Sequence, residues 1–305
     1  MSGREIKKIN VDMGCDFKCE DCEKYFDCTA PQKEAFKKRG VYARAREAMA
    51  KIKHKILILG GKGGVGKSMG ASNIAYALAM RGRTVTVLDQ NFDCPAIPIM
   101  LGMEGQGLRV REEGGLVPAV GPKGIQVISM GLILGEDEVL TWFHDLKRNA
   151  TEEFLGYTDY GERDYLIMDI PAGTSSETVN VIKLIPEMSG SIVFTVPSEV
   201  SQNVAKRAIL ISQKAGVPVL GVIENMSELR CPKCGKEIGI MQEGGGKKLS
   251  DEMGVPFIGK IPMSRDVAVC LDMGVSFVEK HPDSQATKVI NAAADVIEKA
   301  CGYTD

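Results

Sequence analysis

The chain has 305 residues, 44% of them hydrophobic and 26% charged, the balance of an ordinary globular protein long enough for a substantial core and an appendage. Its 38 Lys and Arg against 40 Asp and Glu leave a net charge of −2, which excludes attraction to nucleic acid or an anionic membrane through overall charge. No apolar run reaches the roughly 18 residues of a bilayer span, and MSGREIKKIN lacks the apolar core of a signal peptide, so a cytoplasmic location is expected.

In chain order, residues 1–28 come first, with Cys15, Cys19, Cys22 and Cys28 in the stretch MGCDFKCEDCEKYFDC. Of the 9 cysteines in the chain, these four and the later pair Cys231 and Cys234 cluster. In a reducing compartment such clustering points to a metal rather than to disulfides. Residues 29–54 follow as a basic helical linker, for which a solvated helix face is the commoner reading and a dock for an acidic partner the sharper one.

Residues 55–305 form the body. Short apolar runs at 56–59, 84–89, 125–129, 165–170, 191–197, 217–226 and 256–262 alternate with helical stretches, and a helix is expected at 285–300. Several of these runs are apolar without alternation, as strands buried on both faces are. The pattern predicts an α/β fold with a doubly wound, mostly parallel sheet.

After the first strand comes GKGGVGKS: Gly61, Lys62, Gly63, Gly64, Val65, Gly66, Lys67 and Ser68. Glycines let the backbone wrap phosphates with its N–H groups, Lys67 brings charge to the β and γ phosphates, and Ser68 offers a hydroxyl to Mg²⁺. ATP and Mg²⁺ are therefore the expected ligands. Asp89 and Asp169 close two of the strands, where a P-loop domain places a ligand to the metal or its water, although an Asp there can also be a turn or cap.

These features, with DYLIMDIPAGT, VPVLGVIENMSELRCPKCG and EGGGKKLSDEMGVPFIGKIP in that order, resemble the Mrp/ApbC family of iron-sulfur carrier P-loop ATPases, relatives of MinD, ParA and the nitrogenase iron protein. The resemblance spans about Lys55 to Lys280. It implies that Lys62 of a deviant Walker A loop reaches the nucleotide of a partner subunit, the alternative being a solvated loop lysine. It also implies that Asn225 contacts adenine. Cys231 and Cys234, in the loop at 226–240, would hold half of a four-iron, four-sulfur cluster bridging a homodimer, with zinc the competing occupant. The spacing of Cys19, Cys22 and Cys28 resembles the ferredoxin-like extension of the cytosolic scaffold branch, where a second such cluster sits. Cys15 departs from that spacing, and zinc stays open there too.

Two segments depart from the family. The first switch reads DQNFDCPAIP, with Asn91 where the family has an acid and Cys94 where it has Gly. An amide orients water but accepts no proton, so hydrolysis is expected to be slow, with Asp93 not substituting. The second switch reads PAGTSS from Pro171, and Gly173 is the candidate N–H donor to the γ-phosphate. Cys94 is expected to pack as a small apolar group under Pro95, and Cys270 and Cys301 to be structural.

The catalytic candidates are thus Lys62, Lys67, Asn91 and Asp169. The leading expectation is an ATP-dependent carrier passing clusters to apo iron-sulfur proteins. The alternative is an ATP-gated electron donor to a specific reductase. A ParA- or MinD-like positioning role would want a basic surface or amphipathic tail, which EKACGYTD is not.

Overall fold

The computed structural model describes residues 19, 22, 24–38, 40–112, 114–135, 138, 140–173, 176–230, 233–234, 236–238 and 244–303. Cys15, Cys231, Thr174 and Ser175 lie outside them. Two helices, α1 (Pro31–Lys37) and α2 (Gly40–Ala50), lead into β1 (Ile52–Gly60). Then come α3 (Lys67–Met80), β2 (Val85–Asp89), α4 (Ile97–Met100) and the short strands β3 (Arg109–Val110), β4 (Leu116–Val117), β5 (Ala119–Val120) and β6 (Gln126–Ile128). The second half runs α5 (His144–Gly156), β7 (Arg163–Asp169), α6 (Ser176–Leu184), β8 (Gly190–Thr195), α7 (Glu199–Lys214), β9 (Val219–Arg230), β10 (Glu237–Ile238) and α8 (Gly245–Met253). It ends with β11 (Phe257–Met263), α9 (Arg265–Asp272), α10 (Phe277–Lys280) and α11 (Gln285–Ala300).

Among the described residues nine strands make one sheet in the order β10-β9-β8-β1-β7-β2-β6-β5, with β11 on the other side of β9 from β8. Every pairing is parallel except β10 on β9 and β5 on β6. The central strand β1 explains the architecture. Ile56 and Ile58 point into one apolar cluster with α3 and α11, while Leu57 and Leu59 point into the other with α2, α5 and α7. A strand covered on both faces gains nothing from polar alternation, which is why its sequence has none. Each such side chain contributes about 1.5–3 kcal/mol by leaving water. α11 buries Val289, Ile290, Ala293, Ala294 and Ile297, one stripe at helical spacing, and Ser284 caps it by accepting from the Thr287 N–H at 3.1 Å.

The segment expected to be a linker is helical and packed onto the body. Tyr42, Ala45 and Met49 of α2 are buried beside Phe154 and Leu155 of α5, while Arg44 and Arg46 stay exposed. β1 begins at Ile52, so the body takes in residues that the sequence assigned to the linker.

Candidate nucleotide site and cluster hairpin

Parallel strands leave their carboxyl ends on one edge of the sheet, and the site assembles there. β1 delivers the P-loop, β2 ends at Asp89 and β7 at Asp169, which face each other in register. Gly61 and Gly66 are dictated by close approach. A Cβ on Gly61 would lie 2.3 Å from the Ala205 nitrogen of α7, and one on Gly66, whose φ is 96°, would lie 2.3 Å from Asn225 Nδ2. Lys62, Gly63 and Gly64 are exposed at the tip, Val65 and Lys67 are buried, and Ser68 is half-buried. α3 starts at Lys67, so its first N–H groups face the loop. Lys67 Nζ donates to the Lys62 carbonyl at 3.3 Å, and burial lowers its pKa against the opposing pull of Asp169.

Asp169 is the centre of the polar network. Its Oδ2 accepts from Ser68 Oγ at 2.5 Å and from Asn91 Nδ2 at 2.8 Å, while its buried Oδ1 has no hydrogen-bond partner. An orphaned carboxylate oxygen beside a P-loop serine fits a hydrated Mg²⁺, because a hard cation or its water satisfies that oxygen. Asp89, by contrast, is occupied by the protein: it accepts from the Asn91 N–H at 2.9 Å, from Ser129 Oγ at 2.8 Å and from the Ile97 N–H. It therefore anchors the first switch rather than offering a free oxygen. Burial raises the pKa of both carboxyls, and the Asp169 charge raises that of Asp89 further.

The rest of the first switch points away from the site. Asp93 pairs with Lys147 at 2.5 Å, and Phe92 is buried against Phe154. Cys94 corrects its expectation, since its thiol is exposed rather than packed under Pro95, whose ring lies against Gly131 instead. In the second switch the Gly173 N–H donates to the Gly60 carbonyl at 3.1 Å, so the candidate γ-phosphate donor is engaged by the P-loop strand itself. Cys270 is buried in the core and Cys301 is half-buried.

Beside the loop lies a cavity of about 360 Å³ whose walls include Lys67, Asn225, Met226, Pro262 and Met263. Asn225 Nδ2 donates to the Val65 carbonyl at 3.0 Å, which fixes the amide against the P-loop. Its neighbour Glu224 was missed from sequence. Successive strand residues face opposite sides, and on the other side Glu224 Oε2 accepts from the Gly246 N–H at the start of α8, while its Oε1 is buried without a partner. The available signal was a charged residue inside the otherwise apolar run VPVLGVIENM.

β9 then continues into a hairpin. Arg230 pairs with Glu237 and Leu229 with Ile238, so residues 231–236 form its tip, where Cys234 is exposed. Cys231 lies outside the described residues. Met226, between Asn225 and this hairpin, holds a left-handed φ of 53°. At the amino end, Cys19, Cys22 and Cys28 are half-buried, and the Ala30 N–H donates to Cys28 Sγ at 3.5 Å. Among the described residues no three Cys, His, Asp or Glu side chains gather into a metal-ligand group. No helix there is long and apolar enough to cross a membrane.

A family model described as ParA, the NUBPL iron-transfer P-loop NTPases, matches residues 51–298. The chain is 40% identical over 262 residues to the iron-sulfur cluster carrier protein of Saccharolobus solfataricus, covering 86% of this chain and 88% of that one. It is 39% identical over 287 residues to the protein of the same name in Methanocaldococcus jannaschii, covering 93% and 98%. Among solved structures, a nucleotide-binding protein in complex with ADP from Archaeoglobus fulgidus aligns with a TM-score of 0.68 at 32% identity over 77% of this chain and 92% of that one. The cell division ATPase MinD of Pyrococcus furiosus, at 21% identity and a TM-score of 0.57 over 81% and 99%, shares the fold. With its P-loop, its two switch aspartates in register and its match across the whole sheet, the chain belongs to the ParA/NUBPL family of iron-transfer P-loop NTPases.

Proposed function

We propose that this protein is an ATP-dependent iron-sulfur cluster carrier that holds a four-iron, four-sulfur cluster between two copies of the chain and passes it to apo-proteins. The observation that carries the reading is the placement of the C-x-x-C hairpin on the strand that also bears Asn225 at the P-loop. Two thiols per chain supply half of the four ligands such a cluster takes, and a second copy supplies the rest. Lys62, exposed at the loop tip, is free to extend toward a partner's nucleotide. The carrier name borne by relatives at 39% and 40% identity favours delivery over the electron-donor alternative.

In this reading the P-loop N–H groups and Lys67 hold the phosphates, and Ser68 with Asp169 holds Mg²⁺. The ion, when bound, neutralises charge between the β and γ phosphates. Asn91 orients the attacking water without taking its proton, so hydrolysis is slow and serves as a timer. Gly173 must release the Gly60 carbonyl to reach a γ-phosphate, and that exchange is the two-state element through which nucleotide changes the dimer. Cys15, Cys19, Cys22 and Cys28 form a second, self-contained metal site, with an iron-sulfur cluster favoured over zinc.

The test is anaerobic reconstitution with iron and sulfide, followed by metal analysis, sedimentation and transfer to an apo-ferredoxin. Wild type is expected to dimerise, to carry acid-labile sulfide and to lose it to the acceptor. Cys234→Ala is expected to keep only the amino-terminal metal and to remain monomeric. Zinc in both sites, or iron retained in the presence of acceptor, would overturn the reading.

A further inference from the structure

A second cavity lies on the opposite flank of the molecule from the P-loop tip's own pocket, at the seam between the cysteine segment and the body. Its volume is about 310 Å³. Tyr25 and Phe26 supply one wall, α1 and α2 a second, and the end of α6 with the last turn of α7 a third. Five cationic side chains converge there, Lys33, Lys37, Arg46, Lys183 and Lys214, and the only carboxylate among the described lining residues is Glu187. Two of the five are partly neutralised from outside the lining, Lys37 by Glu34 at 2.7 Å and Lys214 by Asp27 at 2.8 Å.

Like charges gathered around a concave space repel one another and focus a positive potential into it. The arrangement is built rather than incidental. Lys33 and Lys183, from elements 150 positions apart in sequence, both lie over the Tyr25 ring, at 4.7 and 4.8 Å, which holds two ammonium groups at the same aromatic wall. Lys33 Nζ also donates to the Cys28 carbonyl at 3.1 Å, and the Tyr25 N–H donates to the Cys22 carbonyl at 3.2 Å. The cavity wall and the cysteine segment are thus one hydrogen-bonded unit. The volume is that of a small-molecule site, and an ammonium-rich lining suits phosphate, which lysine binds as a point charge.

We propose that this cavity is a binding site for a small phosphorylated anion, whose occupancy fixes the cysteine segment against the body. The anion would draw Lys33 and Lys183 together by charge-assisted hydrogen bonds, and Lys33 carries that order to the Cys28 carbonyl. The inference stands apart from the nucleotide and cluster readings, because none of its residues belongs to either.

The experiment uses the full chain with adenylyl imidodiphosphate and Mg²⁺ in excess, so that the P-loop does not compete. Inorganic phosphate, 2,3-bisphosphoglycerate and tricarballylate are then titrated by calorimetry. The expected result is saturable binding of a phosphate probe, one per chain, weakened about tenfold or more in Lys33→Ala/Lys183→Ala and kept in Lys33→Arg/Lys183→Arg. Protection of the segment around Cys28 from trypsin should rise with the same concentration dependence. A melting curve checks that the alanine pair folds, and Arg46→Gln, on an exposed helix face, provides the same comparison if it does not. No saturable binding to wild type, equal affinity in the folded charge variants, or binding of tricarballylate without either phosphate would overturn the proposal.

Discussion

At the scale of single residues, Asp169 concentrates the chemistry. It collects Ser68 and Asn91 on one oxygen and leaves the other without a partner. Because burial raises the pKa of Asp169 and Asp89, the folded chain binds more protons than the unfolded one from the ordinary carboxylate range, near about 4, up to the raised values. The nucleotide-free chain should therefore lose stability as pH climbs through that window. Melting temperature against pH is expected to flatten in Asp169→Asn, and an unchanged slope would remove this carboxyl from the account. Asn91→Asp replaces an amide donor with a third carboxylate in the cluster, so the nucleotide-free protein should melt lower and Mg²⁺ with nucleotide should restore it. The same substitution should speed steady-state ATP hydrolysis, and no gain in rate would end the argument that the amide slows it. These roles were only half legible. A lysine and serine at fixed loop spacing announce themselves, but nothing in TVTVLD or YLIMDI distinguishes an aspartate enclosed by three protein donors from one with an open oxygen.

At the scale of elements, close packing around α3 sets the tolerance of the P-loop helix. A Cβ at Gly70 would sit 2.1 Å from the Phe194 ring of β8, so Gly70→Ala must push either the helix or the ring. A loss of about 1–3 kcal/mol is expected in urea unfolding, with weaker nucleotide binding because the loop moves with its helix. Strands and helices of the body were readable because their burial is two-sided or one-sided in a regular way, as β1 and α11 illustrate. The packing of α2 was not, since nine Lys and Arg between residues 29 and 55 masked the three buried positions Tyr42, Ala45 and Met49. Cys94 was misjudged for a related reason, because the packing partner of Pro95 is a glycine forty residues away in no recognisable pattern.

At the scale of the whole molecule, the carboxyl-terminal helix closes the sheet with an ionic lock. Glu298 accepts from Arg81 at 2.8 Å and Arg83 at 2.7 Å, and the Arg83 guanidinium lies 3.9 Å from the centre of the Tyr303 ring. The guanidiniums are partly exposed, so Glu298→Ala is expected to cost about 2 kcal/mol in thermal or urea unfolding, less in high salt. A change below a few tenths of a kcal/mol would leave α11 held by its apolar stripe alone. Family membership covers residues 51–298, which places both ends of this lock within the shared body and the cysteine segment outside it.

The fixed amide of Asn225 has a consequence for which purine the protein answers to. One N–H is spent on the Val65 carbonyl, leaving Oδ1 and the second N–H to meet a base edge. Adenine offers a donor at N6 beside an acceptor at N7, the complement of that pair, whereas guanine puts an acceptor at O6 where a donor is wanted. The state of the protein would then follow the adenylate pool and be indifferent to GTP, and Asn225→Ala should erase that discrimination in competition binding before it abolishes affinity for the phosphates.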